Sequence, residues 1–332
     1  MIRLVQLRCG SERRVAVVDE PKLRLLDAET VYDLARTALA ERRSLVALVG
    51  ERTTTEATDY EAVYDGRSEW RLLAPVDHPD EPSRLLVSGT GLTHLGSAAN
   101  RQAMHEMKES EMTDSMKMFR WGVERGRPAA GEVGISPEWF YKGNGSILRG
   151  HGEPLVLPAF GEDGGEEAEL AGVYIIGQDG KPWRIGMSNG NEFSDHKYEK
   201  RNYLNLASSK IRTCSLGPEL VIGASFDAVP GSAAIVRGGS TVWSKDIATG
   251  EADMCHSLQN VEHHHFKFES HRRPGDVHVH YFGACSLSFG DGFQLADGDV
   301  MQVRFEGFGR ALRNPLLVDN RPNAFVGVQS LA

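Results

Sequence analysis

Glu167 and Glu169 stand two places apart at the head of the apolar run Leu170-Ala171-Gly172-Val173-Tyr174-Ile175-Ile176. Residues two apart on a strand point to one face, so a strand here aims both carboxylates at one spot. Two more acids follow in Gly190-Asn191-Glu192-Phe193-Ser194-Asp195, and Lys210 precedes Leu216-Gly217-Pro218. Three convergent carboxylates make a site for a hard cation such as Mg²⁺ or Mn²⁺, which favours oxygen ligands. The spacing is equally that of an edge strand whose acids are merely solvated.

Histidines and lysines offer other chemistry. His263 with His265, and His278 with His280, each share a face if they lie on strands, and Glu269 falls between the pairs. That pattern is similar to the metal motif of cupins and suits Fe, Cu or Zn, although Ser257 stands where the cupin motif has glycine. Lys142 and Lys210 sit beside expected turns; each either snorkels to water or binds a substrate carboxylate, or acts as a base beside a metal. Ser97, Arg101 and Glu106 fall on one expected helix, either touching a ligand or simply solvated.

The elements that must position these groups are mostly strands. Residues 1–20 alternate as a β-hairpin, Thr30 caps a helix over 31–40, and a second helix covers 60–64. Residues 70–79 read as a strand running into a linker, and Pro75, Pro79 and Pro82 place a domain boundary near residue 84. Residues 85–94 are a strand entering a Gly-rich turn, followed by a Met-rich helix from Ser97 to Phe119 and a loop over 122–136. Pro137 to Lys142 is a strand, as are 155–157, 220–222 and a Gly-Gly hairpin over 233–243. A helix is expected over 251–265, then strands over 277–281 and 300–305. The regular βαβ alternation of a Rossmann or TIM fold is missing, and neither a dinucleotide fingerprint nor a P-loop is present.

The 332 residues carry a net charge of −9, which argues against a nucleic-acid partner, because phosphate binding needs a basic surface. No apolar run reaches the roughly 20 residues of a membrane helix, and charges interrupt the N-terminus where a signal peptide needs an apolar core. Cys9, Cys214, Cys255 and Cys285 are far apart, which suits reduced thiols. A cytoplasmic globular protein is expected.

Taken in order, the motifs resemble the fumarylacetoacetate hydrolase superfamily. Phe140-Tyr141-Lys142 is similar to its Phe-x-Lys, Glu167-Ala168-Glu169-Leu170 to its Glu-x-Glu-Leu, and residues 186–194 to its Gly-Tyr-Thr-x-x-Asn-Asp-x-Ser. Lys210 with Leu216-Gly217-Pro218, and the glycines around Asp276, Asp299 and Phe308, complete the series over residues 85–315. The resemblance implies an α+β chain: a small N-terminal domain over 1–84 and a mixed β-roll catalytic domain over 85–332, assembled as a homodimer. It implies Mg²⁺, or Mn²⁺, on Glu167, Glu169 and a third ligand. The family's Asp there aligns with Glu192, and Asp195 is a rival.

One departure bears on the reaction. Hydrolases of the superfamily carry a His–Glu dyad that activates water; aligned on Gly91, Ser97 and Asn100 occupy those two places. Without that general base the resemblance turns to the superfamily's sugar-acid dehydratases, which act on 2-keto-3-deoxy-pentonates and yield 2,5-dioxopentanoate. It then implies Lys210 as base or enolate partner, Lys142 as carboxylate ligand or proton donor, and Ser97, Glu199 or His280 as donor to the leaving hydroxyl. Thr93, Arg101, Lys142 and His280 are the expected substrate contacts. The alternatives are a hydrolase or decarboxylase of 2,4-diketo acids, a histidine-metal oxygenase, and a non-catalytic sugar-acid binder.

Overall fold

A computed structural model describes residues 1–96 and 112–331. Ser97, Asn100, Arg101 and Glu106 lie outside the described residues. The N-terminal hairpin forms as expected: Ile2–Cys9 pairs antiparallel with Glu12–Asp19, with Leu4 opposite Val17. Lys22–Leu26 and Thr53–Asp59 extend it by two strands. Thr30 caps helix Val31–Ala40, its Oγ1 accepting from Asp33 N at 3.0 Å. Helix Leu45–Arg52 was not expected; it has about two turns, and Gly50 within it weakens the helical signal.

These strands do not close on themselves. Ile2–Cys9 also pairs with Leu220–Ile222, Leu4 facing Leu220, and the sheet runs on through Pro182–Asn191, Ala168–Ile176, Val277–Tyr281, Leu85–Gly91 and Glu138–Asn144. It has 13 strands in all, and a second sheet of five is led by the hairpin Val229–Arg237 and Ser240–Thr249. One core holds Leu4, Val15 and Leu26 together with Leu85, Val87, Val173 and Val279. Neither sheet nor core breaks near residue 84, where a boundary was expected. The architecture is mixed α/β, with large, chiefly antiparallel sheets and short helices. No described helix is long and apolar enough to cross a membrane.

Strand Ala168–Ile176 lies inside the large sheet, and all nine of its residues are buried. Ala171, Val173 and Ile175 face the main core, while Tyr174 on the other face packs edge-on to Phe266 of helix Leu258–Phe266. Cover on both faces explains the unbroken apolar run and removes the solvated-edge reading. The helix that carries His263, His264 and His265 runs Leu258–Phe266, starting later than expected, and because both lie on it His263 and His265 do not share a strand face.

Candidate metal centre

Register builds the site. Across the antiparallel pair, Ala168 faces Asn191 and Glu169 faces Gly190, and just beyond them Glu192 N donates to Glu167 O at 3.0 Å. Side-chain alternation then puts Glu167, Glu169 and Glu192 on one face. All three are buried, and one carboxylate oxygen from each lies within 4.8 Å of the others. They are the one such metal-competent group among the described residues. Glu169 Oε2 accepts from Gly283 N at 2.6 Å, but its Oε1 is buried with no partner. An orphaned oxygen in an all-carboxylate set fits a hard divalent cation.

Two lysines balance the charge. Lys142, fully buried, has its Nζ 2.5 Å from Glu192 Oε1 and donates to Phe193 O and Lys210 O at 2.9 and 2.8 Å. An ammonium has three N–H groups, so none remains for a substrate. These contacts hold Lys142 inside the carboxylate cluster, whereas the sequence reading expected it to bind a substrate carboxylate or deliver a proton. Lys210 Nζ donates to Glu167 Oε1 at 2.6 Å and Glu192 Oε2 at 2.8 Å, lies 3.9 Å from Glu199 Oε2 and sits 4.7 Å from the centre of the Phe140 ring. Burial opposes its charge, but Glu167, Glu192 and Glu199 more than offset that and hold it protonated. Burial likewise opposes charge on Glu167, yet Lys210 and His196, whose Nε2 is 3.0 Å from Glu167 Oε1, keep that carboxyl well below its usual range. Glu169 is driven the other way by burial and by the charges of Glu167 and Glu192.

Asp195, the rival ligand, is committed elsewhere: Oδ1 caps helix His196–Arg201 at Tyr198 N, and Oδ2 accepts from Arg212 and from Glu162 N. Two other expected contacts have their polar groups engaged within the chain. Thr93 is buried, and its hydroxyl donates to Phe282 O at 2.6 Å. It packs against the backbone that holds Glu169: at Gly283, φ +105°, a Cβ would lie 2.1 Å from Thr93 Oγ1. His280 pairs across the sheet with Gly172, three residues from Glu169, and therefore faces away from the carboxylates. Its Nδ1 meets Ser88 Oγ at 2.8 Å, and burial with neighbouring imidazoles pushes it down to about 3, which keeps the imidazole uncharged at neutral pH.

The solved structures this chain resembles cover nearly all of it. A 2-keto-3-deoxyarabinonate dehydratase matches 96% of this chain and 100% of its own, at 18% identity and a TM-score of 0.71. A 2-keto-3-deoxy-D-arabinonate dehydratase complexed with magnesium and 2,5-dioxopentanoate matches the same shares at 19% and 0.70. The fold is that of the fumarylacetoacetate hydrolase superfamily. A third structure of this fold, 2-hydroxyhepta-2,4-diene-1,7-dioate isomerase from Mycobacterium marinum, matches 97% of this chain and 100% of its own at 16% identity and a TM-score of 0.58. No family model matches the chain, and no curated protein does.

Within this fold the sequence reading missed Glu138. It shares a face of strand Glu138–Asn144 with Phe140 and Lys142, so the alternation that flagged Lys142 also marked it. Burial pushes Glu138 up to about 7, against the pull of a hydrogen bond from Tyr203 and the charge of Lys210. Glu199 is raised by burial too, partly countered by Lys210. Glu138 thus stands near neutrality within the field of Lys210, and Glu199, also raised, lies 3.9 Å from the Lys210 ammonium. His196 was also missed; it opens a helix, where strand alternation gives no signal. Gly91 is fixed by this arrangement: a Cβ would sit 1.9 Å from Glu138 Oε1. Gly91→Ala is expected to fold with unchanged circular dichroism and to lose at least ~10²-fold in turnover, since displacing a reacting group by about 1 Å has that cost. Full activity would show that Glu138 need not stay where it is.

Proposed function

We propose that the protein is a Mg²⁺-dependent hydro-lyase that converts a 2-keto-3-deoxy-pentonate to 2,5-dioxopentanoate in non-phosphorylative pentose catabolism. The observation that carries this reading is the buried Glu167, Glu169 and Glu192 group with the Lys210 ammonium seated on two of its members. A similar structure with magnesium and 2,5-dioxopentanoate bound supports it, as do Ser97 and Asn100 in place of a water-activating dyad.

When bound by the three glutamates, Mg²⁺ supplies Lewis acidity that makes the C3 protons of a 2-keto acid more acidic. The chain's own groups do the rest. Lys210 uses two N–H groups on Glu167 and Glu192, and its charge stabilises the negative charge that develops as C3 loses a proton. Glu138, whose affinity near neutrality suits general acid–base work, takes that proton. Glu138 or Glu199 returns a proton to the C4 hydroxyl, which leaves as water. The C3–C4 double bond then shifts to C4–C5, and tautomerisation gives the C5 aldehyde; one water is lost in all.

The same reading takes a cytoplasmic homodimer with a sugar-acid substrate. Incubation with each enantiomer of 2-keto-3-deoxy-pentonate, with and without Mg²⁺, tests it. The expected result is 2,5-dioxopentanoate from one enantiomer, in the presence of Mg²⁺ only. Pyruvate or CO₂ from a 2,4-diketo acid would assign hydrolase or decarboxylase chemistry instead, and ligand binding without turnover would make the protein a sensor.

A further inference from the structure

The two oxygens of Glu138 are not equivalent. Oε2 accepts from the Tyr203 phenol at 2.8 Å, whereas Oε1 overhangs Gly91. Among the described residues no group donates to Oε1. Tyr203 opens the turn Tyr203–Asn205, itself fixed by Asn202 Oδ1 accepting from Leu204 N at 3.0 Å. The phenol oxygen also lies 3.2 Å from Met118 Sδ on helix Asp114–Arg125. A phenol has one proton to donate, and a carboxylate is a far stronger acceptor than a thioether. The proton therefore goes to Glu138, and Met118 contributes packing.

We propose that Tyr203 is a positioning residue: by donating to Oε2 it fixes Glu138 with Oε1 free beside Gly91 and keeps that carboxylate ionised and ready to accept a proton. The charged groups facing the pair come from several elements. Lys210 favours the ionised form of Glu138, Glu199 and Glu167 oppose it, and Asp114 and Glu199 face Tyr203. With the phenol removed, burial and the two carboxylates are opposed by Lys210 alone, so Glu138 takes up its proton at higher pH. The inference rests on the dehydratase reading only where turnover is measured.

The test is Tyr203→Phe in the full chain, followed by carboxyl ¹³C NMR of glutamate-labelled protein, with Glu138 assigned by the signal lost in Glu138→Gln. In Tyr203→Phe the Glu138 titration is expected to rise by roughly one pH unit, the scale of one lost charge-assisted hydrogen bond. Met118→Leu is expected to leave it in place. The acid limb of the kcat profile should move up with the titration while KM stays unchanged. An unmoved Glu138 titration in folded Tyr203→Phe overturns the proposal. So does an equal shift in Met118→Leu, which would mean that packing rather than the phenol proton controls the carboxyl. If the titration moves while the wild-type protein shows no dehydratase turnover, the positioning role stands and the functional reading fails.

Discussion

Glu169→Gln is expected to lose about 10³-fold or more in turnover while its metal-free form is at least as stable as metal-free wild type. The activity loss follows from removing one of three cation ligands, since Lewis-acid stabilisation is worth several kcal/mol and each ~1.4 kcal/mol is tenfold in rate. The stability effect runs the other way for a local reason. Glu169 is buried beside two other carboxylates, its Oε1 has no partner, and both lysines bind the other two acids. Burial and those neighbouring charges raise its carboxyl well above the usual value. A folded-state pKa raised in this way gives stability below the unfolded value, which is lost as pH rises through the folded one. At neutral pH the glutamate therefore costs stability without a cation, and Gln removes that cost. Thermal melting with and without Mg²⁺ separates the two effects. Wild type should gain about 2.7 kcal/mol at 100 times its Kd, and the variant little. An equal Mg²⁺ shift in both would remove Glu169 from the ligand set.

The part of this site that was legible in the sequence is the part governed by alternation along one strand. Glu167 and Glu169 are two apart on an apolar run, and that pattern survives folding unchanged. Glu192 belongs with them because of hairpin register, which the turn between the strands sets and no local pattern reveals. The ordered motifs supplied what register could not. Where a side chain's direction depended on a neighbouring strand, the sequence carried no signal. His280 alternates with Val279 and Tyr281 as well on one face as on the other, and only its pairing with Gly172 turns it from the carboxylates. Asp195 and Glu192 look alike in sequence, but Asp195 begins a helix and is bound by Arg212. The hairpin at residues 1–20 and the capped helix Val31–Ala40 were legible because turn and cap chemistry are local. That the same hairpin joins the sheet bearing the three glutamates through Leu220 was not, because the contact spans more than two hundred residues.

Lys142→Met is expected to damage the fold itself. Lys142 and Lys210 look interchangeable in sequence, each a lysine beside a turn, but their surroundings assign them different work. Lys210 has a third N–H not committed to a protein acceptor within hydrogen-bond range among the described residues, and it contacts an aromatic face. Lys142 is enclosed, with every donor used on Glu192, Phe193 O and Lys210 O. Methionine fills the same space but leaves one side of Glu192 uncompensated and the Phe193 carbonyl unpaired, while Lys210 O keeps its bond from Arg212 N. Breaking a buried ion pair from one side costs about 3–5 kcal/mol, which a urea transition measures as a lower midpoint. The charge explanation makes a second demand. In Lys142→Met/Glu192→Gln most of that loss should return, because no buried charge is then stranded, giving strong non-additivity in the double-mutant cycle. Additive losses would assign Lys142 a packing role alone. A stable Lys142→Met enzyme with raised KM would return it to the substrate, as the sequence first suggested.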